Sequence, residues 1–457
     1  MVPHSEIETI IAQCTPRGSG AIALLRLSGP GALSIATKLS KLHGGKTIDT
    51  VPTHTIHPGH AVRQNKQSID YVLFFVMHGP RTFTGEDVVE ISTHNNQFII
   101  QEIIELALTY GARLAQEGEF CKRAVMNNKI DLIQAEAINE LIHAQTQTAL
   151  KQSLAQVDGS FSHYITRIEN DLIKSMAYCQ ASFEFIDEED MAFGPDIKII
   201  LEQTIAAIGT LKVTFDQQQR IRQGIRIALI GSVNAGKSSL FNTLLQQERA
   251  IVTHIAGTTR DVIEAGMYRN QNYWTLIDTA GLRNTDDMIE KEGIERSLKE
   301  AHLADIILLV IDSSRALTEQ EKTIYANIAA QHQHKLIRVY NKSDLPCITA
   351  PESSDALTVN TVNKSNIDRI EAAIEEKITA LLSSIESPFL LNKRQFNLLI
   401  GLEQKLMRIL PMLEGNIAYE LLSVHLEEAV ADLSELTGKT ISEASMDKVF
   451  REFCVGK

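Results

Sequence analysis

GSVNAGKSS, residues 231–239, follows the apolar run IRIALIG (225–231) and precedes LFNTLL, a stretch compatible with a helix. The pattern G-x-x-x-x-G-K-[ST] between a buried strand and a helix is a phosphate cradle. Backbone N–H groups of the glycine-rich turn surround phosphates, and the helix adds its positive N-terminal end. The nucleotide-binding residues of the loop are Asn234, Ala235, Gly236, Lys237, Ser238 and Ser239. Lys237 reaches the outer phosphates and acts in their chemistry, and the Ser238 hydroxyl ligates Mg2+.

Three further motifs stand in order behind the cradle. IDTAG (277–281) ends a strand and supplies Asp278 near the metal and a Gly281 amide for the terminal phosphate. AGTTRD (256–261) offers Thr259 as a second magnesium ligand. NKSD (341–344) ends another strand, where Asp344 accepts from two guanine N–H groups, a donor pair that adenine lacks. Asn341 holds the base edge and the Lys342 stem covers its face. Four motifs in this order on a parallel sheet define a GTP-binding domain. The position after Gly281, where many GTPases place a water-orienting glutamine, is Leu282, so hydrolysis has to borrow charge elsewhere. Asn234 is either a ligand for a monovalent cation near the β/γ bridge or a turn-compatible residue in a tight loop.

Outward from this region the texture of the chain changes. Strands IRIALIG, NYWTLIDTAG (272–281), IILLVID (306–312) and KLIRVYNKSD (335–344) alternate with helical stretches and predict a mostly parallel, doubly wound sheet over 223–380. Residues 1–125 mix AIALLRLSG (21–29), YVLFFVMH (71–78) and VVEISTH (88–94) with the helical FIIQEIIELALTYGA (98–112), which predicts an α+β unit. Residues 126–222 and 381–457 are helical in period, so the P-loop unit is expected as an insertion within a helical domain. The fold class is a multidomain α/β and α+β chain.

Composition bounds the rest. The 457 residues are 44% hydrophobic and 22% charged, as in globular domains, and the longest apolar run, ADIILLVI (304–311), falls short of a membrane span. Five scattered cysteines without C-x-x-C fit a reducing, cytoplasmic setting. The net charge of −13 argues against a broad, non-specific nucleic-acid binder.

The motifs extend beyond the nucleotide site. TPRGSGAIALLRLSG, FTGEDVVE (83–90), GEFCKRAVMNNKIDLIQAEA (118–137), GTTRD, DTAGLR and the tail FCVGK together resemble the MnmE-type (TrmE) tRNA-modification GTPases over essentially the whole chain. The C-x-G-K ending, Cys454 to Lys457, is highly specific to that family. The resemblance implies that the N-terminal domain forms a homodimer and binds 5-formyl- or methylene-tetrahydrofolate, with Arg26, Glu90, Lys129 and Lys457 at the matching positions. It implies that Cys454 serves the modification chemistry. Potassium ligands map to Asn234, Thr253, Ile255 and Thr258, and the water-orienting carboxylate maps to Glu290, with Arg260 and Asp261 as further switch residues. The activity is implied to be shared with a flavin-dependent MnmG (GidA)-type FAD protein, in a heterotetramer or larger complex without a membrane role. Together they place an aminomethyl or carboxymethylaminomethyl group on C5 of the wobble uridine of tRNA.

Two stretches depart from the family pattern. Where H-G-G-P is usual, this chain reads His94, Asn95, Asn96 and Gln97, and asparagine tolerates the left-handed backbone that such a turn asks for. The usual Ser-Ala loop after the last strand is replaced by Asn360 and Thr361, an expected loosening of guanine binding without a change of base. The competing readings are a GTP-dependent assembly switch and a degenerate paralogue without folate chemistry.

Overall fold

The computed structural model describes residues 8–184, 193–213, 215, 218, 222, 224–246, 263–270, 272–279, 298–351, 356–383, 389–415 and 417–456. Along the chain come β1 (Thr9–Gln13), β2 (Ile22–Ser28), α1 (Ala32–Leu39), β3 (Ser40–Leu42), β4 (Thr55–Val62), β5 (Ser68–Met77), β6 (Val88–His94), α2 (Gln97–Thr109) and β7 (Ala112–Leu114). The seven strands form one sheet in the order β3-β4-β5-β6-β2-β1-β7, and only the β1–β7 pair is parallel. Successive strand side chains point to opposite faces. One face carries Leu25, Leu27, Phe74 and Ile91 into a core with Ile35 and Leu39 of α1 and Ile100 and Ile103 of α2. The other carries Leu24, Arg26, Tyr71, Leu73, Glu90 and Ser92, which are half-buried or exposed.

Some strands are absent from the sequence pattern for a physical reason. β4 reads TIHPGHAV, and proline is poorly tolerated in a central strand. The short β3 pairs only with Gly59–Ala61, so Pro58 lies beyond its reach and needs no N–H on that side. Likewise the HNNQ stretch makes its turn without left-handed asparagines. Asn96 has φ −115°, ψ 125° and caps α2 by accepting from Phe98 N, while Asn95 Nδ2 donates to the Gly18 carbonyl at 2.8 Å. The expectation of a left-handed turn is therefore corrected to a helix cap.

The next helices are α3 (Glu119–Met126), α4 (Leu132–His143), α5 (Gln147–Val157), α6 (Ser160–Glu184) and α7 (Gly194–Val213). The helical period of 135–157 is divided at Thr146, whose hydroxyl accepts from Ala149 N at 3.0 Å and so starts α5. Then follow β8 (Ile225–Ile230), α8 (Lys237–Gln246), β9 (Ile263–Arg269), β10 (Asn272–Asp278), β11 (Ile306–Asp312), α9 (Glu319–His332), β12 (Leu336–Asn341), β13 (Leu357–Thr358) and α10 (Ile367–Ser383). The six strands run in the order β13-β12-β11-β8-β10-β9, all parallel to their neighbours except β9. Both faces are covered, which is why β11 reads as a continuous apolar run, buried at every position. The chain closes with α11 (Lys393–Ile409), α12 (Tyr419–Thr437) and α13 (Glu443–Phe450).

The chain splits into two compact units. One comprises residues 1–139, 154–205 and 397–457, the other 140–153 and 206–396. No helix among the described residues is long and apolar enough to cross a membrane.

In the first unit α3 is anchored by charge. Glu119, 7% exposed, accepts from Arg113 at 2.6 and 2.8 Å, from Arg123 at 2.9 Å and from Gln116 N at 2.8 Å. Burial raises the carboxyl pKa, but these donors, Arg113 foremost, reverse that and bring it down to about 2. A carboxyl held below its unfolded value contributes stability above about pH 4.3, which is lost as pH falls towards the folded value. Glu119→Gln is accordingly expected to cost roughly 3 kcal/mol at pH 7, with the gap to the parent protein narrowing between pH 5 and pH 3. Urea midpoints across that range check the sign and the window.

Candidate functional site

The carboxyl ends of β8, β10 and β12 gather the nucleotide residues. The turn after β8 has two residues with positive φ, Asn234 (62°) and Gly236 (96°). Gly231 permits close packing, since a Cβ there would lie 2.2 Å from the Val310 carbonyl oxygen. At Gly236 a Cβ would lie 2.0 Å from Asn341 Nδ2. Asparagine tolerates the left-handed conformation, so the turn reading of Asn234 is realised in the backbone.

Lys237 begins α8 and is 5% exposed. Its ammonium donates to the carbonyls of Gly231 (2.8 Å) and Ser232 (2.7 Å). Burial pushes its pKa below the ordinary lysine value, and the nearby Asp278 carboxylate opposes that shift. Ser238 Oγ donates to Asp278 Oδ2 at 2.8 Å, so a hydroxyl and a carboxylate from α8 and β10 already share one point in space. That oxygen pair suits the donor preference of Mg2+. Thr279 Oγ1 donates to the Leu229 carbonyl and ties β10 to β8 beyond their ladder.

Asn341, 1% exposed, donates from Nδ2 to the Ala235 carbonyl at 2.9 Å and accepts at Oδ1 from Thr361 N at 3.4 Å. The base side of the site is thus fastened to the phosphate loop. Lys342 has φ 65° and its ammonium donates to Asp312 Oδ2 at 2.6 Å, which stretches its stem along the floor of this corner. Asp344 lies exposed in the following turn, as does Ser239 at the start of α8. The loop that replaces Ser-Ala is an ordered turn in which Asn360 Oδ1 accepts from Val362 N (2.8 Å) and Asn363 N (3.3 Å). Thr253, Ile255, Thr258, Thr259, Arg260, Asp261, Gly281, Leu282, Glu290 and Lys457 lie outside the described residues.

The motifs do not reveal a brace behind the loop. Ser232 N donates to the Tyr325 hydroxyl at 3.0 Å, and Ser232 Oγ accepts from Arg315 Nη2 at 3.0 Å. Arg315 also pairs with Glu321, whose carboxyl is brought down to about 2 chiefly by that guanidinium. The only local signal is the capping box of Thr318 and Glu321, which fixes the start of α9.

The residues that the resemblance assigns to a folate sit on the open face of the first sheet. Arg26 and Glu90 are direct partners across β2 and β6 and form an ion pair at 2.7 Å. Arg26 also donates to the Gly456 carbonyl at 3.4 Å, and its guanidinium lies 5.4 Å from the Phe120 ring centre. Lys129 bonds elsewhere, to the Pro80 carbonyl at 2.6 Å. The tail lies against the same unit: the Cys454 carbonyl accepts from Gly118 N at 3.4 Å and Val455 pairs with Glu117. Gly456 has φ 94°, and a Cβ there would lie 2.8 Å from Cys14 Cα, which explains the glycine of C-x-G-K. Cys454 itself is exposed.

A phosphate loop, a hydrogen-bonded Ser238–Asp278 pair at its edge and an NKSD loop at the end of a further parallel strand define a P-loop GTPase. Residues 9–129 match the model for the GTP-binding protein TrmE N-terminus, and residues 132–454 match that of the MnmE helical domain. The chain is 39% identical to the tRNA modification GTPase MnmE of Streptococcus thermophilus over 99% of each chain. It is 38% identical to that of Ligilactobacillus salivarius over 100% of this chain and 99% of the relative. A crystal structure of Aquifex aeolicus Era is similar at TM-score 0.27 and 24% identity over 40% of this chain and 67% of that one. The chain belongs to the MnmE (TrmE) family of tRNA modification GTPases.

Two outcomes follow from the geometry. Asn341→Ala is expected to weaken GTP and GDP alike by about tenfold or more, because it removes a buried tie to the phosphate loop; equilibrium nucleotide titration measures this. Gly456→Ala is expected to detach the tail and expose the Gly118 N–H to hydrogen exchange while leaving GTP turnover intact.

Proposed function

We propose that this chain is a potassium-dependent GTPase that acts with an MnmG-type flavoprotein. Together they install an aminomethyl or carboxymethylaminomethyl group at C5 of the wobble uridine of tRNA, with a folate as one-carbon donor. The observation that carries the reading is the meeting of Arg26, Glu90 and the Gly456 carbonyl on the open face of the first sheet. A pure GTP switch has no evident need to bring a C-x-G-K tail to an arginine–glutamate pair in a different part of the chain.

In this reading the phosphate loop positions GTP. Lys237 exchanges its two carbonyl partners for phosphate oxygens, and Ser238 and Asp278 hold Mg2+, with Thr259 as a further ligand. When bound, Mg2+ neutralises charge on the β- and γ-oxygens. Asp344 selects guanine and Asn341 keeps the base edge in register with the phosphates. Asn234, with Thr253, Ile255 and Thr258, holds K+, and Glu290 orients the water in place of the glutamine that Leu282 replaces. At the first sheet, Arg26 and Lys457 suit the acidic tail and carbonyls of a folate and Glu90 its pterin N–H groups. Lys129, whose ammonium donates to the Pro80 carbonyl, completes the folate set, and Cys454 of the tail serves the modification chemistry. The assembly is a homodimer joined by the flavoprotein.

GTP turnover in potassium and in sodium buffer at matched ionic strength tests the mechanism. Strong acceleration by potassium alone is expected, and its loss in Asn234→Ala ties the cation to the loop. Equal, slow turnover in both salts overturns the potassium mechanism and favours an assembly switch that takes its catalytic charge from a partner.

A further inference from the structure

Residues 9–69 hold seven lysines and arginines and one acid, Asp49, a local balance of +6 in a chain that carries −13. Arg26 and Arg63 are held by Glu90 and Glu102. Asp49 faces Thr37, whose hydroxyl donates to it at 3.5 Å. Lys38, Lys41 and Lys46 are exposed, and no carboxylate among the described residues pairs with them.

Geometry places Lys41 beside aromatic rings, while Lys38 lies over the Tyr110 ring, 5.4 Å from its centre. Lys41 of β3 lies opposite His60 of β4, and His60 opposite Tyr71 of β5, so the three form one cross-strand row on the open face of the sheet. The His60 and Tyr71 ring centres are 5.2 Å apart, and His43 stands 5.8 Å from Tyr71 and 6.0 Å from His60. His60 Nδ1 is fixed against Ser68 Oγ at 2.9 Å. Tyr71 is 51% exposed although it belongs to a regular strand. Beyond His43 the chain turns through Gly44 and Gly45, both at positive φ, with nothing within 4 Å of a Cβ built at either. Lys46, exposed, follows this open turn three residues after His43.

Planar rings next to unpaired lysines match the chemistry of an unstacked nucleobase next to its phosphates. We propose that the β3–β4–β5 edge is an RNA-docking surface, with Lys41 and Lys46 on the phosphates and His43 and Tyr71 receiving an unpaired base. This rests on the reading that tRNA is the substrate, and it assigns part of the tRNA contact to this chain rather than to the flavoprotein. The acidic overall charge keeps binding local, because the rest of the surface repels phosphate.

The test is fluorescence anisotropy of the full chain with a synthetic tRNA anticodon stem–loop and with a blunt RNA duplex, over a range of KCl. Lys41→Ala combined with Lys46→Ala is expected to weaken both probes about tenfold and to lower the salt slope by about 2, one for each phosphate contact. Tyr71→Ala is expected to weaken the stem–loop about tenfold and to leave the duplex unchanged. GTP turnover without RNA stays at the parent value in all variants. If the parent binds tRNA and the variants bind it equally well, the surface is wrong while the substrate reading stands. If the parent binds no tRNA, alone or with the flavoprotein, both fall. Altered subunit stoichiometry at unchanged RNA affinity also overturns the proposal and gives this face to a second copy of the chain.

Discussion

A parallel sheet ends in backbone groups that its ladder does not use, and side chains at the strand ends must meet them. In the second unit this constraint builds the nucleotide site. Ser313 Oγ donates to the Asn341 carbonyl at 2.7 Å, Thr279 Oγ1 to that of Leu229 at 2.8 Å, and Asn341 Nδ2 to that of Ala235 at 2.9 Å. Each bond closes a strand end, and together they lock the loops after β8, β10, β11 and β12 into one surface. The loop after β12 and the phosphate loop are therefore mechanically joined through Asn341. The Ser232–Tyr325–Arg315 brace supports the same loop from α9.

The first unit solves a different problem. Its sheet buries one face under α1 and α2, and the other face keeps polar and aromatic groups within reach of solvent. The Arg26–Glu90 pair is half-buried, so its charges are less screened than surface charges and more accessible than core ones. Such an arrangement holds its shape unaided and still presents donors and acceptors to a ligand. The cost of desolvating the pair is offset by its short contact and by the Gly456 carbonyl.

Much of the GTPase unit was legible in the sequence because its signals are local. IILLVID is a strand buried at every position, and GSVNAGKSS needs only its own nine residues to specify a loop. The Arg315 and Tyr325 brace was not legible, since its partner Ser232 lies 83 and 93 residues away. β4 was hidden by Pro58, whose tolerance depends on how short its neighbour β3 is, a property of the sheet rather than of the segment. The asparagines of HNNQ were read for backbone tolerance, but a side-chain cap decided their role. Resemblance placed Arg26 and Glu90 in one site; that they face each other in register is a fact of strand pairing, which composition and motif spacing do not encode.

The bond from Arg26 to Gly456 spans 430 residues. Chain-closure entropy grows only with the logarithm of the enclosed length, about 0.6 kcal/mol for each doubling. Once two segments some tens of residues apart can meet, lengthening the chain between them adds little further penalty. A whole catalytic unit can thus be spliced between the two segments of one hydrogen-bonded contact with small thermodynamic consequence. The burden falls on kinetics, because contacts so distant in sequence slow folding. The Arg26–Gly456 bond therefore forms only once segments 430 residues apart are both in place.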